Sequence, residues 1–193
     1  MVRATASDEA TEARRSIAAA ASRLFIEQGY DATTVDQIGR KAGSSRATVF
    51  RYFGSKEDIL FYRYDRALQE LCAGVADRKG SDSRRVRSVL LDVASRLESE
   101  GEAFRIELGM ICGNPKLRAR ALVTLDASAC VLARQLSADR GAHPDLPARV
   151  LAHTGIAALQ EAICMWQAAS RGATLVELTD NALRLTLPTR RRA

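Results

Sequence analysis

Nowhere in the 193 residues do apolar side chains run on uninterrupted for the ~18 positions that a membrane-spanning helix requires. Histidine is scarce: only His143 and His153 occur, outside any H-E-x-x-H or similar cluster, so metal chemistry has little to work with. The four cysteines, Cys72, Cys112, Cys130 and Cys164, are far apart and form no C-x-x-C pair. Each sits among apolar neighbours at helical spacing, as a small hydrophobe in a reducing compartment would, which argues against a disulfide or zinc framework. A nucleophile–base constellation, a Walker motif and G-x-G-x-x-G are all missing, so an enzyme is disfavoured and no cofactor is expected. Asp8, Glu9 and Glu12 precede any apolar run, unlike a secretory signal, and the expected compartment is the cytoplasm.

What is present is ample core material, 47% hydrophobic residues, and an uneven charge. The formal net charge is +6. Between Thr33 and Lys56, five basic residues (Arg40, Lys41, Arg46, Arg51, Lys56) face one acid, Asp36, so this segment holds +4 and leaves +2 for all the rest. A solvated face would explain such a stripe, and so would a nucleic-acid partner.

The apolar pattern is helical almost throughout. Ile17, Ala21, Leu24 and Phe25 mark one helix face, with Gly29 as its stop. Thr34 and Gln37 form a capping box that opens a short helix through Ala42, and Gly43 breaks it. A second short helix is expected from about Ser45 to Tyr52, ended by Gly54. Ser55 then caps a longer helix with Glu57 and Asp58 in its first turn. A polar connection spans Arg78 to Ser83, followed by the amphipathic set Val86, Val89, Leu90, Val93 and Leu97. Phe104 to Cys112 is a shorter apolar segment, and Leu117, Ala121, Leu125, Leu132 and Leu136 mark another helix before a loop from Gly141 to Pro147. The stretch Val150–Ala169 is apolar on nearly every side and must be covered on more than one face. Thr174 and Glu177 cap a final helix. No segment shows strand alternation, so the expected class is all-α, with about nine helices.

Thr34 to Phe53 carries the function. Two short helices around a glycine turn are what a DNA-reading helix-turn-helix requires. Val35, Ile38, Ala42 and Val49 lock the pair, Gly39 permits close approach, and Gly43 tolerates left-handed geometry. The second helix would enter the major groove N-terminus first. Ser44, Ser45, Arg46 and Thr48 then suit base edges and phosphates, with Arg46 the best reader of a guanine. Tyr52 and Lys56 suit phosphates, and Thr34 can offer its backbone N–H to another. Val49 and Phe53 complete the set of DNA-facing candidates. An ordinary helical hairpin is the plainer reading of the spacing alone.

The run I-G-R-K-A-G-S-S-R-A-T-V-F-R-Y-F-G-S-K-E-D-I-L, preceded by L-F-I-E-Q-G-Y-D-A-T-T-V, resembles the signature of the tetracycline-repressor (TetR) family across Ile17 to Leu60. Ser44 departs from the valine frequent at its position. The resemblance implies a three-helix DNA-binding domain over 8–54, with the motif at 34–53, and a larger effector-binding and dimerisation domain over 55–188. Residues 1–7 and 189–193 are expected to be flexible tails. It further implies a homodimer on double-stranded operator DNA, in which the last two long helices pair across a two-fold axis. Leu151, Ile156, Leu159, Ile163, Leu178 and Leu183 are the expected interface. More faintly, N-P-K-L-R-A-R-A-L from Asn114 resembles regulators found beside mycofactocin genes, for which an acyl-CoA-type effector fits.

Effector-lining candidates are Phe104, Leu108, Met110, Ile111, Cys112, Leu125 and Trp166, although core packing is the plainer reading of any one of them. Glu107, His153 and Gln160 are candidate polar anchors. The expected function is a sequence-specific regulator, a repressor released by a small apolar or acyl-type effector. A non-specific architectural DNA-binding protein is the alternative, distinguished by salt-dependent binding without sequence preference.

Overall fold

The computed structural model describes residues 6–187 except 74, 76, 77, 139, 142 and 169–171. Most of the two expected tails, and Ala169 at the end of the apolar stretch, therefore lie outside the described residues. Among those described there are nine helices and no strand. They are α1 (Ala6–Gln28), α2 (Val35–Lys41), α3 (Arg46–Tyr52), α4 (Lys56–Ala73), α5 (Asp82–Ser99), α6 (Glu102–Gly113), α7 (Pro115–Leu136), α8 (Leu146–Ala168) and α9 (Leu175–Thr186). The all-α expectation holds, and none of these helices is long and apolar enough to cross a membrane. The chain divides into two compact units, Met1–Tyr64 and Asp65–Ala193.

The boundaries follow capping chemistry. Thr34 and Gln37 make the reciprocal box at α2, and Thr174 and Glu177 repeat it at α9. Ser55 Oγ accepts from the Asp58 N–H at 3.1 Å at the start of α4. Asn114 Oδ1 accepts from Lys116 and Leu117, with Pro115 in the first turn of α7, where its missing N–H costs nothing. Two expected connections come out shorter. α5 already begins at Asp82, after Ser81. α8 begins at Leu146, four residues before the apolar run, because the Asp145 carboxylate accepts from the Ala148 N–H at 2.8 Å. Pro147 sits in that first turn and does not end the loop.

In the first unit, α1 packs on α2 and α3, and α2 on α3. Its core is Ile17, Ala21, Phe25, Ile38, Val49, Phe53, Ile59 and Phe61, all buried.

In the second unit, α8 is the central helix, packed against α5, α6, α7 and α9. A Cβ on Gly155 would lie 2.8 Å from both Val86 Cγ1 and Leu90 Cδ1, so this glycine sets how closely α5 approaches. The second face of α8 that the sequence demands be covered is thus covered within the chain. Ile156, Leu159, Ile163 and, on α9, Leu183 are core residues of their own unit and not interface residues, which corrects the expected set. Leu151 and Leu178 are half-buried. The large apolar residues that α8 and α9 leave exposed are Leu146, Val150, Met165 and Leu185, the last 86% accessible.

Two cysteines distant in the sequence meet in the second unit. Cys112 on α6 and Cys164 on α8 are free thiols whose sulfurs lie 3.3 Å apart, although 52 residues separate them. Burial, followed by the hydrogen bond with Cys164, pushes the Cys112 thiol up to about 12, so it stays protonated at neutral pH.

Candidate nucleic-acid interface

The turn between α2 and α3 is built on two glycines. Gly43 takes φ +65°, the left-handed region that glycine enters without cost. Gly39 has no room for a side chain, since a Cβ would sit 2.8 Å from the Ser44 carbonyl oxygen. That carbonyl belongs to the turn itself, and the Ser44 N–H donates back to Gly39 O at 2.8 Å. Backbone contact therefore locks the helix pair, and Ser44 is half-buried in the turn.

α3 is capped by Ser45, whose Oγ accepts from the Thr48 N–H at 3.0 Å and shares a hydrogen bond with the Thr48 hydroxyl at 2.9 Å. Below the helix, Val49 is 1% exposed, packed towards Gly39, and Phe53 is buried edge-on to Tyr62 at 5.5 Å between centroids. Neither side chain can reach a base or phosphate, so both leave the set of DNA-facing residues. Their alternation with exposed neighbours decides this: Ser45, Arg46, Ala47, Phe50 and Arg51 form the outer surface of α3.

Arg46 stands on that surface. Its guanidinium pairs with Asp36 on α2 at 2.7 Å and lies 5.3 Å over the Phe50 ring. Tyr52 is half-buried, with Arg51 5.1 Å and Arg14 5.7 Å from its ring centre. Lys41 is paired with Glu27 at 2.7 Å.

Two expected phosphate contacts are engaged elsewhere. Lys56 Nζ donates to the carbonyls of Tyr30 at 2.7 Å and Thr33 at 3.0 Å, and lies 4.1 Å over the Tyr30 ring. It stitches the start of α4 to the chain entering α2. Thr34's own N–H donates to Gln37 Oε1 at 2.8 Å as half of the capping box, so it has none to offer. Phe50 was missed by sequence reasoning. The signal was available, because an aromatic one turn beyond Arg46 on a seven-residue helix shares its outward face.

A short helix with a basic, partly aromatic outer surface, braced at its base by a second short helix, has the geometry of a helix-turn-helix motif. Residues 17–62 match the family model described as bacterial regulatory proteins, tetR family. The chain is 27% identical over 134 residues to the transcriptional activator FasR of Mycolicibacterium smegmatis, covering 67% of this chain and 61% of that one. It is 34% identical over 107 residues to MftR of Mycobacterium tuberculosis, provisionally assigned as a mycofactocin biosynthesis regulator, covering 53% and 52%. The matched region thus spans about half to three fifths of these relatives. Among solved structures, it is similar to Thermus thermophilus FadR, a TetR family repressor in complex with lauroyl-CoA, at TM-score 0.64 and 24% identity, covering 93% of this chain and 97% of that one. The match to the tetR family of bacterial regulatory proteins thus lies over residues 17–62, the segment that holds the helix-turn-helix.

Proposed function

We propose that the chain is a sequence-specific regulator of transcription that binds operator DNA as a homodimer, inserting α3 into the major groove. The observation that carries this is the two-sidedness of α3. Val49 and Phe53 anchor it from within, while Ser45, Arg46, Ala47, Phe50 and Arg51 stand outward together. Arg46 supplies the bidentate fork that a guanine edge accepts, and Phe50 the apolar surface that a thymine methyl meets. Arg51 and Arg40, both exposed, supply phosphate charge.

The dimer rests on what α8 and α9 leave uncovered. Val150, Ala157 and Met165 recur at helical spacing on the exposed side of α8, as Leu178 and Leu185 do on α9. That apolar stripe replaces the buried residues as the interface of this proposal.

For the effector, an apolar or acyl-type molecule within the second unit fits best. Phe104, Leu108, Ile111, Leu125 and Trp166 are buried and Met110 and Cys112 half-buried, on three helices of which α6 packs on both α7 and α8. Glu107, 3% exposed, is a charged group inside this apolar region and the polar anchor of the proposal. The likeness to a FadR that holds lauroyl-CoA supports an acyl chain. Loss of DNA binding on ligand binding would make the protein a repressor of the inducible kind.

The test is fluorescence anisotropy with labelled promoter DNA from beside its own gene, against shuffled DNA of the same length, across a salt series. A regulator prefers the promoter by ~10³-fold or more and keeps a preference as salt rises. Equal affinity for both duplexes would reduce it to a non-specific DNA-binding protein. Adding acyl-CoA of increasing chain length to the promoter complex then tests the effector.

A further inference from the structure

We propose that Asp126, Cys130 and His153 form a binding site for one borderline-soft divalent cation of the zinc type, bridging α7 and α8. The sequence hides this set, since the first two stand four residues apart on α7 and the third lies across a loop on α8. Folding brings a carboxylate oxygen, a thiol sulfur and an imidazole nitrogen within 4.8 Å of one another. Residues at i and i+4 share a helix face, so Asp126 and Cys130 point together, and His153 meets them from the neighbouring helix.

The orientation of the histidine is the second, independent observation. His153 Nδ1 lies 2.8 Å from the Arg149 carbonyl oxygen. A carbonyl only accepts, so Nδ1 is the donor there, and the neutral tautomer that keeps this bond has its lone pair at Nε2. Nε2 is 3.4 Å from Asp126 Oδ1, on the side of the other two donors. A backbone carbonyl holding the far nitrogen is the usual outer support of a metal-binding histidine, fixing tautomer and ring angle.

The donor set selects the ion. Nitrogen and thiolate favour zinc, cobalt(II), nickel(II) or copper over calcium or magnesium, which take oxygen almost alone. Zinc lies about 2.0–2.3 Å from such ligands, so tetrahedral neighbours stand roughly 3.3–3.7 Å apart. The Nε2–Oδ1 separation already meets that spacing. Asp126, 72% exposed, needs only rotamer freedom to complete it, and Cys130 is half-buried beside it. Three protein ligands leave a fourth position for water. Binding displaces the Cys130 thiol proton, forms the metal–thiolate bond and involves no change of oxidation state.

The experiment uses the full chain without a histidine tag, reduced and stripped with chelator, then titrated with Co²⁺ while absorbance is followed. The expected result is one Co²⁺ per chain, with tetrahedral d–d bands and a thiolate-to-cobalt charge-transfer band that Zn²⁺ removes by displacement. Cys130→Ser abolishes the charge-transfer band, and His153→Ala or Asp126→Ala weakens binding at least about tenfold. The double variant Cys112→Ser/Cys164→Ser keeps the full spectrum, because those sulfurs belong to another pair. Circular dichroism shows that each variant keeps its helix content. No charge-transfer band in the wild type with cobalt in large excess overturns the site. So does a band that survives Cys130→Ser and vanishes in the Cys112/Cys164 double variant.

Discussion

The guanidinium of Arg46 and the carboxylate of Asp36 lie 2.7 Å apart, tying the first residue of α3 back onto α2. Both are at least half exposed, so the pair adds little to stability, but it holds the proposed base-reading side chain in place until DNA competes for it. Arg46→Ala should cost about 1–3 kcal/mol on operator DNA and leave random DNA weakened far less. Asp36→Asn removes one repelling charge and frees Arg46, so it should tighten binding to every duplex. Anisotropy titrations on both DNAs check the two variants, and equal losses for Arg46→Ala on each would remove it as a base reader.

Lys56 gives the opposite pattern. With its ammonium on the Tyr30 and Thr33 carbonyls, Lys56→Met should lower folding stability by about 1.5–3 kcal/mol, the range for hydrogen bonds that involve a charged group. The slope of log affinity against log salt should stay as in the wild type, because no phosphate contact is lost. A urea midpoint and a salt series measure these separately. A slope smaller by about one would restore Lys56 to the DNA-contacting set.

At the centre of the second unit, Gly155→Ala should destabilise by about 1–3 kcal/mol despite alanine's better helix propensity, since the new methyl collides with Val86 and Leu90. Adding Val86→Ala should recover part of that loss, giving a favourable coupling in a double-mutant cycle. Additive losses in denaturant melts would show that α5 and α8 do not meet closely at Gly155.

Leu183 is wholly buried while Leu185, two residues on, is 86% exposed. Leu185→Glu, or Met165→Glu on α8, should therefore yield a folded monomer by sedimentation velocity with helix content unchanged. Leu183→Asp or Leu159→Asp should lose helix content outright, since each places a charge in the core. A Leu185→Glu, Met165→Glu double variant that still sediments as a dimer would refute this stripe as the interface.

Acid should weaken the start of α8. The Asp145 carboxyl is held below its ordinary range by the Ala148 N–H first, against some desolvation, and then by Arg140 and Ser137. A depressed folded value means that the charged carboxylate contributes stability above the unfolded value, about 3.9, and that this is lost as pH falls through the folded value. Asp145→Asn should thus be less stable than wild type at neutral pH, and the gap should close on acidification. A gap in urea midpoints that is independent of pH would mean the charge contributes nothing.

Local chemistry was enough to write the helices and the turn of the DNA-reading motif from the residues alone. Thr34 with Gln37, Ser45, Gly43 and the apolar residues between them act within three or four positions, and capping and periodicity are effects of that range. The family signature over Ile17–Leu60 lies in the same local stretch. Asp145 was missed because a cap is legible only when the first helical turn is recognised, and Pro147 looked like a loop end. Tertiary structure decided everything that depends on which face of a helix finds a neighbour. A stretch apolar all round states that it needs cover, not whose, and α8 takes it from α5, α6, α7 and α9 of its own chain, which drew Ile156, Leu159 and Ile163 inward and left Val150, Met165 and Leu185 outside. Lys56 on carbonyls 23 and 26 residues away, Cys112 beside Cys164, and His153 facing Asp126 and Cys130 are likewise decided by packing, because donor–acceptor geometry between separate helices leaves no periodic trace in the sequence.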